Sequence, residues 1–183
     1  MIQMKLTLED CYNIIDILDH HLHDTIPEKI DGDSEKGSQF LKDRKYIKSI
    51  VMDVNKSALE VVKHAKSVMD KFDTQKFLDD IDVKKQLDTL IKNLHLSEVT
   101  IKITWNEFSA LTDALMYRIQ MDFVYLEDFA KNGIPQKYHE WFRDELRDMR
   151  NTRQLMNTIH GQVQEELETR LRWLKKNDSS KNE

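Results

Sequence analysis

The sequence predicts an all-α protein: a five-helix bundle with long second and fifth helices and one short strand-like segment near residues 99–103. Three observations lead to this fold class. Glycine and proline, which are common in turn-rich β-proteins, number only 4 and 2 among 183 residues. Charged residues make up 33% and hydrophobic residues 39% of the chain, a balance that suits amphipathic helices. Finally, apolar residues recur at helical spacing through several long segments.

The first two helices are separated by a predicted loop. Thr7 followed by Asp10 resembles a helix N-cap, and apolar residues then recur at helical spacing, which predicts a first helix over about residues 8–25. Residues 31–38, Asp-Gly-Asp-Ser-Glu-Lys-Gly-Ser, contain turn residues and no apolar anchor, so they are expected to form a mobile loop. A long second helix follows and is expected to reach about Phe72.

The middle of the chain combines a helix with the strand-like segment. Asp73 and Thr74 are a plausible break and cap, so the third helix is predicted over about residues 75–94. Val99, Ile101 and Ile103 alternate with polar residues, as in a short half-buried strand. An isolated strand needs a partner, which a second chain could supply.

The last two helices are delimited by a capping box and a Gly-Ile-Pro segment. Thr104-Trp-Asn-Glu107 predicts the start of the fourth helix, which ends before Gly133. The fifth helix is predicted from about Gln136 to Lys175. The chain is therefore interpreted as one helical domain over residues 1–175 followed by a disordered tail over 176–183.

Composition narrows the function classes. The net charge of −5 disfavours a dedicated nucleic-acid binder, which usually presents a basic face, although a local basic strip remains compatible with it. One cysteine, Cys11, fits a reducing cytoplasm. No apolar run approaches the roughly 18 residues of a membrane span, and the first residues lack the apolar stretch of a signal peptide. Phosphate-binding loops, Gly-x-Ser-x-Gly and His-Glu-x-x-His are absent, so no cofactor is expected.

The segment Arg150–Gly161 contains the residues that come closest to a catalytic motif. Arg153 and His160 occupy one row of residues that alternate at spacings of four and three along the fifth helix, with Asn157 between them. Seven residues are nearly two helical turns, so both side chains project from the same side. Histidine could move a proton at a ribose hydroxyl, and arginine could hold the phosphate, which would give metal-independent RNA cleavage.

This arginine–histidine spacing late in a helical bundle is similar to the motif of HEPN-domain ribonucleases, which typically pair two such helices across a dimer and occur in toxin–antitoxin and phage-defence systems. The resemblance covers about a dozen residues and would make Arg153 and His160 the catalytic pair. Two features depart from the family pattern: Gln154 stands where asparagine is commoner, and Arg150-Asn151 lies too far from His160. The alternative, which the residues favour, is a core histidine and a flanking arginine paired with carboxylates such as Glu107 or Asp113.

A second candidate site lies on the first helix. Asp16, His20 and His23 share a helix face at spacings of four and three, which allows a metal-binding interpretation. This face lies opposite the apolar stripe, whereas helical-bundle metal sites project their ligands inward. A solvated polar face is therefore the favoured interpretation, and no metal site is predicted.

Charged clusters are the remaining candidates for partner binding. The arginines Arg143, Arg147 and Arg150 follow one face of the last helix but are interleaved with acidic residues, which favours a salt-bridged surface over a phosphate-binding strip. The acidic cluster Asp79, Asp80 and Asp82 could engage a basic partner.

By elimination, the sequence predicts a non-enzymatic protein that binds another macromolecule. The Lys/Asp/Asn/Ile-rich composition resembles that of low-GC bacteria or their phages, where small acidic helical proteins often regulate or inhibit nucleic-acid enzymes. The HEPN-like endoribonuclease is the alternative. A final helix of about 40 residues would be about 60 Å long, longer than a globule of this size is wide, so a homodimer that covers part of it is expected.

Overall fold

The computed structural model describes residues 1–27, 34–69 and 81–179. Within these described ranges, five helices and two strands follow one another: β1 (Ile2–Thr7), α1 (Leu8–Thr25), α2 (Glu35–Met69), α3 (Ile81–His95), β2 (Glu98–Ile103), α4 (Trp105–Asn132) and, after a 3₁₀ turn at Gln136–Tyr138, α5 (His139–Ser179). The predicted fold class, mostly helical with long second and fifth helices, is confirmed.

Both predicted capping boxes are present. The Thr7 hydroxyl accepts a hydrogen bond from Asp10 N at 3.0 Å, and Thr7 N donates to the Asp10 carboxylate at 3.0 Å. Thr104 N donates to the Glu107 carboxylate at 2.7 Å, and Glu107 N donates back to the Thr104 hydroxyl at 3.3 Å. Each box pairs backbone N–H groups that the first helical turn leaves without intrahelical acceptors, so the sequence alone fixes where α1 and α4 begin.

The start of α2 differs from the prediction. The helix begins at Glu35, so residues 35–38 of the predicted loop are helical. The reason is a cap at Ser34, whose hydroxyl accepts a hydrogen bond from Gly37 N at 2.9 Å. The rest of that loop up to residue 33, together with the predicted break at Asp73-Thr74, lies outside the described residues.

The end of α5 also differs from the prediction. The helix continues to Ser179, so the first four residues of the predicted tail over 176–183 are helical. Residues 180–183 lie outside the described part of the chain.

The strand-like segment pairs within the chain. β2 is the predicted strand, and within the chain it pairs with β1, a strand over residues 2–7 that was not predicted from the sequence. Leu8 N, directly after β1, donates to Ser97 O, directly before β2, at 3.0 Å, so the two strands are antiparallel. Alternate side chains are buried in both strands: Ile2, Met4 and Leu6 in β1, and Val99, Ile101 and Ile103 in β2.

The described residues divide into two compact units. One, the α1–α3 unit, is formed by Lys5–Lys102, and the other, the α4–α5 unit, by Met1–Met4 with Ile103–Glu183. The single domain expected over residues 1–175 stays a prediction. Among the helices described, none is long and apolar enough to cross a bilayer.

The α1–α3 unit has its core between α1 and α2. Buried apolar side chains from both helices, among them Ile14, Leu18, Ile50 and Val54, build it. Cys11 is also buried there, and burial, followed by the nearby Asp10 carboxylate, raises the pKa of its thiol to about 12. The thiol therefore remains protonated near neutral pH and serves as a packing group.

The α4–α5 unit is an antiparallel helical hairpin. The chain reverses after Gly133, whose φ of 76° lies in the left-handed region that favours glycine. Its core is built from apolar residues of both helices: Ala110, Leu111, Ala114, Leu115 and Ile119 of α4, and Leu155, Ile159 and Val163 of α5.

Candidate functional site

A charged cluster lies between α4 and α5, with Asp122 buried and Arg118 and Glu145 partly exposed. The Asp122 side chain is 1% exposed, and Arg118 Nε lies 3.2 Å from its Oδ1. Arg118 Nη2 also donates to Glu145 Oε1 at 2.5 Å, so a single guanidinium lies against two carboxylates. Neither oxygen of Asp122 accepts a well-aligned hydrogen bond from any described residue. An ionised carboxylate in this position is costly, because water cannot solvate it.

The surroundings of Asp122 favour its protonated form. The pKa of this carboxyl is raised from 3.8 to about 6, chiefly by burial, while the Arg118 guanidinium opposes the shift. The negative charges of Glu145 and Asp148 contribute to the raised pKa. Negative charges on the neighbouring Glu145 and Asp148 disfavour a further charge on Asp122, so its protonated form is favoured.

Aromatic side chains form a wall beside this cluster. The Trp141 ring lies 6.2 Å from that of Tyr125 and 5.7 Å from that of Phe129, in edge-to-face geometry. Phe129 also lies 5.3 Å from Phe142. The cavity that these rings share with Asp122 and Glu145 has a volume of about 10 Å³, which is room for roughly one water molecule.

The geometry of this buried cluster suits a proton-binding role better than catalysis. Asp122 can change its protonation state near neutral pH, but the cavity beside it is too small to admit an organic substrate. The sequence analysis missed the cluster, although a signal was present: Asp122 follows Leu111, Leu115 and Arg118 at helical spacing on the buried side of α4. An acidic residue in that position indicates a paired buried carboxylate.

The structure corrects the predicted position of the catalytic candidates. Arg153, Asn157 and His160 are all exposed, so His160 is not a core histidine. The buried row of α5 consists of Thr152, Leu155, Ile159 and Val163. Its first three residues each lie one position before a residue of the predicted row, whereas Val163 belongs to both rows. The Glu107 carboxylate proposed as a partner is engaged by Thr104. His160 instead lies with its ring 5.9 Å from that of Phe108.

The histidine-rich face of α1 is also exposed, and it forms two separate pairs. His20 Nε2 lies 3.7 Å from Asp16, and His23 Nε2 lies 3.7 Å from Asp19. The three predicted candidates therefore do not converge on one point. In the part of the chain that the structure describes, no group of three or more His, Cys, Asp or Glu side chains is arranged to hold a metal ion.

Of the three predicted arginines of α5, Arg147 forms the ion pairs that the salt-bridge interpretation expects, and the interpretation of the whole face stays a prediction. Arg147 pairs with Asp144 at 3.1 Å and lies 4.0 Å from Asp148, while Arg143 and Arg150 are exposed. Such pairs neutralise the local positive charge. Of the predicted acidic cluster, Asp79 and Asp80 lie outside the described residues, and Asp82 lies in α3.

The C-terminal part of α5 passes beyond α4. The Phe129–Phe142 contact lies near the reversal of the hairpin, and the Phe108–His160 contact lies near the start of α4. Trp105 begins α4 within one turn of Phe108, so α5 after about residue 164 has no α4 residue opposite it. We call residues 164–179 the α5 extension.

The α5 extension carries exposed apolar side chains. Leu167 is 41% exposed and Leu171 56% exposed, and at a spacing of four residues they share one face. Trp173, 64% exposed, projects from another side of the same segment. The neighbouring face contacts the first residues of the chain, since Arg170 donates to Met1 O at 2.9 Å and Gln3 N donates to Glu166 at 3.4 Å. Leu167 and Leu171 therefore lie on the face next to that contact, and Leu171 lies farther from it than Leu167 does.

The chain matches no protein-family model, and comparisons with curated proteins and with solved structures give no significant match.

Proposed function

We propose that this chain is a non-enzymatic interaction protein of bacterial or phage type that acts in the cytoplasm as a homodimer and regulates or inhibits another macromolecule, such as a nucleic-acid enzyme. The observation that supports this proposal best is the apolar face of the α5 extension. Leu167 and Leu171, 41% and 56% exposed on one face of the helix, form an apolar surface of the kind that can bind a partner.

The partner fits as an amphipathic helix or an apolar groove. Leu167 and Leu171 form a narrow stripe at the spacing of a helix–helix seam. Ion pairs on the extension, Arg172 with Glu168 at 3.2 Å and Arg170 with Glu166, stabilise the helix. The segment thus presents its apolar stripe in a preformed conformation, which lowers the entropic cost of binding.

Replacing Leu171 by glutamate tests this assignment. We expect the wild-type chain to retain a specific protein from a bacterial lysate and Leu171→Glu to retain at least about tenfold less, because a charge would be buried in the apolar contact. Thr169→Glu is the matched control, since Thr169 is exposed on the opposite side of the same helical turn. Quantitative mass spectrometry of the captured proteins measures the difference. Equal capture by all three chains would reject the α5 extension as the binding surface.

The HEPN-like endoribonuclease is the second candidate, and one observation favours it. Arg153, Asn157 and His160 share an exposed face of α5, where they can reach a substrate. If this alternative holds, wild-type protein should cleave single-stranded RNA in EDTA, and His160→Ala should lose that activity while it remains folded. On our proposal neither protein cleaves RNA. Gel analysis of a labelled oligoribonucleotide, with Gln154→Ala as a control on the same helix, distinguishes the two.

A further inference from the structure

The outer edge of β2 has features of a self-pairing strand. The sheet contains two strands in the described residues, β1 and β2, so each strand has one edge without a strand neighbour. Exposed strand edges present unpaired N–H and C=O groups that can pair with another chain. Here the two edges differ in what lies beside them.

The outer edge of β1 is occupied by side chains of α5. Gln3 N donates to Glu166 at 3.4 Å, and Met1 O accepts a hydrogen bond from Arg170 at 2.9 Å. These contacts use backbone groups that an added strand would need.

Beside the outer edge of β2, the described residues leave open space along residues 97–100. A groove of about 500 Å³ lies between α2 and this edge, lined by Val61 and His64 of α2, by Leu94, and by the first residues of β2. The Glu98 side chain is 59% exposed. An incoming strand can therefore approach the backbone of β2 from solvent, and it would cover the half-buried Val61 and Leu94.

The strand register shows which residues face that edge. Leu8 N donates to Ser97 O, so Leu8 lies opposite Ser97 in the antiparallel ladder. Moving two residues back along β1 and two residues forward along β2 places Leu6 opposite Val99. Hydrogen-bonding groups of Val99 and Ile101 therefore point toward β1. Those of Glu98, Thr100 and Lys102 point outward, and their side chains lie on the exposed face of the sheet.

We propose that β2 pairs antiparallel with β2 of a second copy of this chain, with the two-fold axis at Thr100. In this register Glu98 lies opposite the second copy's Lys102, Lys102 lies opposite the second copy's Glu98, and the two Thr100 residues face each other. Opposite charges and threonine pairs are favourable cross-strand neighbours. The two-fold rotation places the buried faces of both sheets on the same side. The isologous dimer therefore has one four-stranded sheet with one apolar face.

Charge complementarity selects this register. Shifting the two-fold axis by one residue in one direction would place Lys102 opposite Thr100, and shifting it in the other direction would place Glu98 opposite Thr100. In both cases the Glu98–Lys102 pairing between the two copies is lost. Lys5, which pairs with Glu98 at 2.9 Å across β1 and β2, continues the alternation of charges along the exposed face. A strand with two charges of the same sign would repel its own copy.

The proposal rests on the homodimer in the proposed function, and charge exchange tests it separately from partner binding. Sedimentation velocity of this chain at tens of micromolar should give twice its mass of 21.8 kDa. Glu98→Lys and Lys102→Glu should each weaken dimerisation at least about tenfold, because each places like charges opposite one another at two symmetric positions. Circular dichroism should be unchanged, since both side chains are exposed.

Two combinations restore the charge pairing and make the test specific. An equimolar mixture of Glu98→Lys and Lys102→Glu chains should form a heterodimer, and the double exchange Glu98→Lys/Lys102→Glu should dimerise like the wild type. A monomeric wild type, or a dimer that both single variants leave intact, would overturn the β2 pairing. Partner capture through Leu171 is measured independently, so failure of either proposal leaves the other interpretable.

Discussion

Replacing Ile159 by alanine should lower the free energy of unfolding by about 3 kcal/mol, within the roughly 2 to 5 kcal/mol typical of large-to-small changes in a core. Ile159 has no exposed surface and lies in the buried row of α5 that faces α4. The change removes apolar contacts and leaves a cavity that the rigid hairpin fills only partly. The melting temperature should fall by roughly 6 to 12 °C.

His160→Ala is the matched control for this prediction. The neighbouring side chain is exposed and contacts Phe108 only through their rings at 5.9 Å, so its removal should change the free energy of unfolding by less than about 1 kcal/mol. Thermal unfolding of both variants measures the difference. If His160→Ala were the more destabilising of the two, the buried row of α5 would run through His160, as the sequence analysis expected.

The predicted and the observed buried rows of α5 differ by one position at three residues, which shows a limit of predicting a buried face from residue spacing in a long helix. Alternating spacings of four and three identify the helix, but several neighbouring rows of a long helix satisfy them. Thr152, Leu155 and Ile159 compete with Arg153, Met156 and His160 as the buried row. The row that begins at Thr152 is the more apolar of the two, as expected of a buried row. The row that begins at Arg153 was predicted instead because it contains the Arg153–His160 motif.

Helix starts were predictable because their signals are local. Thr7 with Asp10 and Thr104 with Glu107 fix the beginnings of α1 and α4 through hydrogen bonds within one turn. β1 was equally visible as an alternation of Ile2, Met4 and Leu6 with polar residues. β1 was not predicted because a strand is stabilised by a partner strand far along the chain, and the local sequence does not indicate which segment that partner is.

The buried cluster at Asp122 depends on tertiary structure in the same way. The spacing of Arg118 and Asp122 on α4 could be read from the sequence, but the approach of Glu145 from α5 could not. The effect of Glu145 on the pKa of Asp122 therefore depends on how α4 and α5 pack together. The consequence is a pH-dependent contribution to stability.

Replacing Asp122 by asparagine should stabilise the protein above neutral pH. The pKa of Asp122 is about 6 in the folded chain, against an ordinary value of 3.8, so the folded state binds this proton more tightly than the unfolded state does. The resulting stabilisation is fully present below about pH 4 and is lost as the pH rises through about 6. A pKa difference of about two between the folded and the unfolded chain corresponds to roughly 3 kcal/mol in the free energy of unfolding.

Asparagine resembles the protonated carboxyl at every pH, because its amide group is neutral and can donate to Glu145. At pH 7.5 we therefore expect Asp122→Asn to unfold in urea with a free energy about 1 to 3 kcal/mol above that of the wild type. At pH 4.5 the difference should fall to about a third of its value at pH 7.5, because the folded carboxyl is protonated there while the unfolded one is already largely ionised. Asp113→Asn, an exposed change on the same helix, should show little difference at either pH, which separates the local effect from the loss of one negative charge. A destabilised Asp122→Asn at pH 7.5 would instead show that the ionised carboxylate, held by Arg118, is the form that stabilises the hairpin.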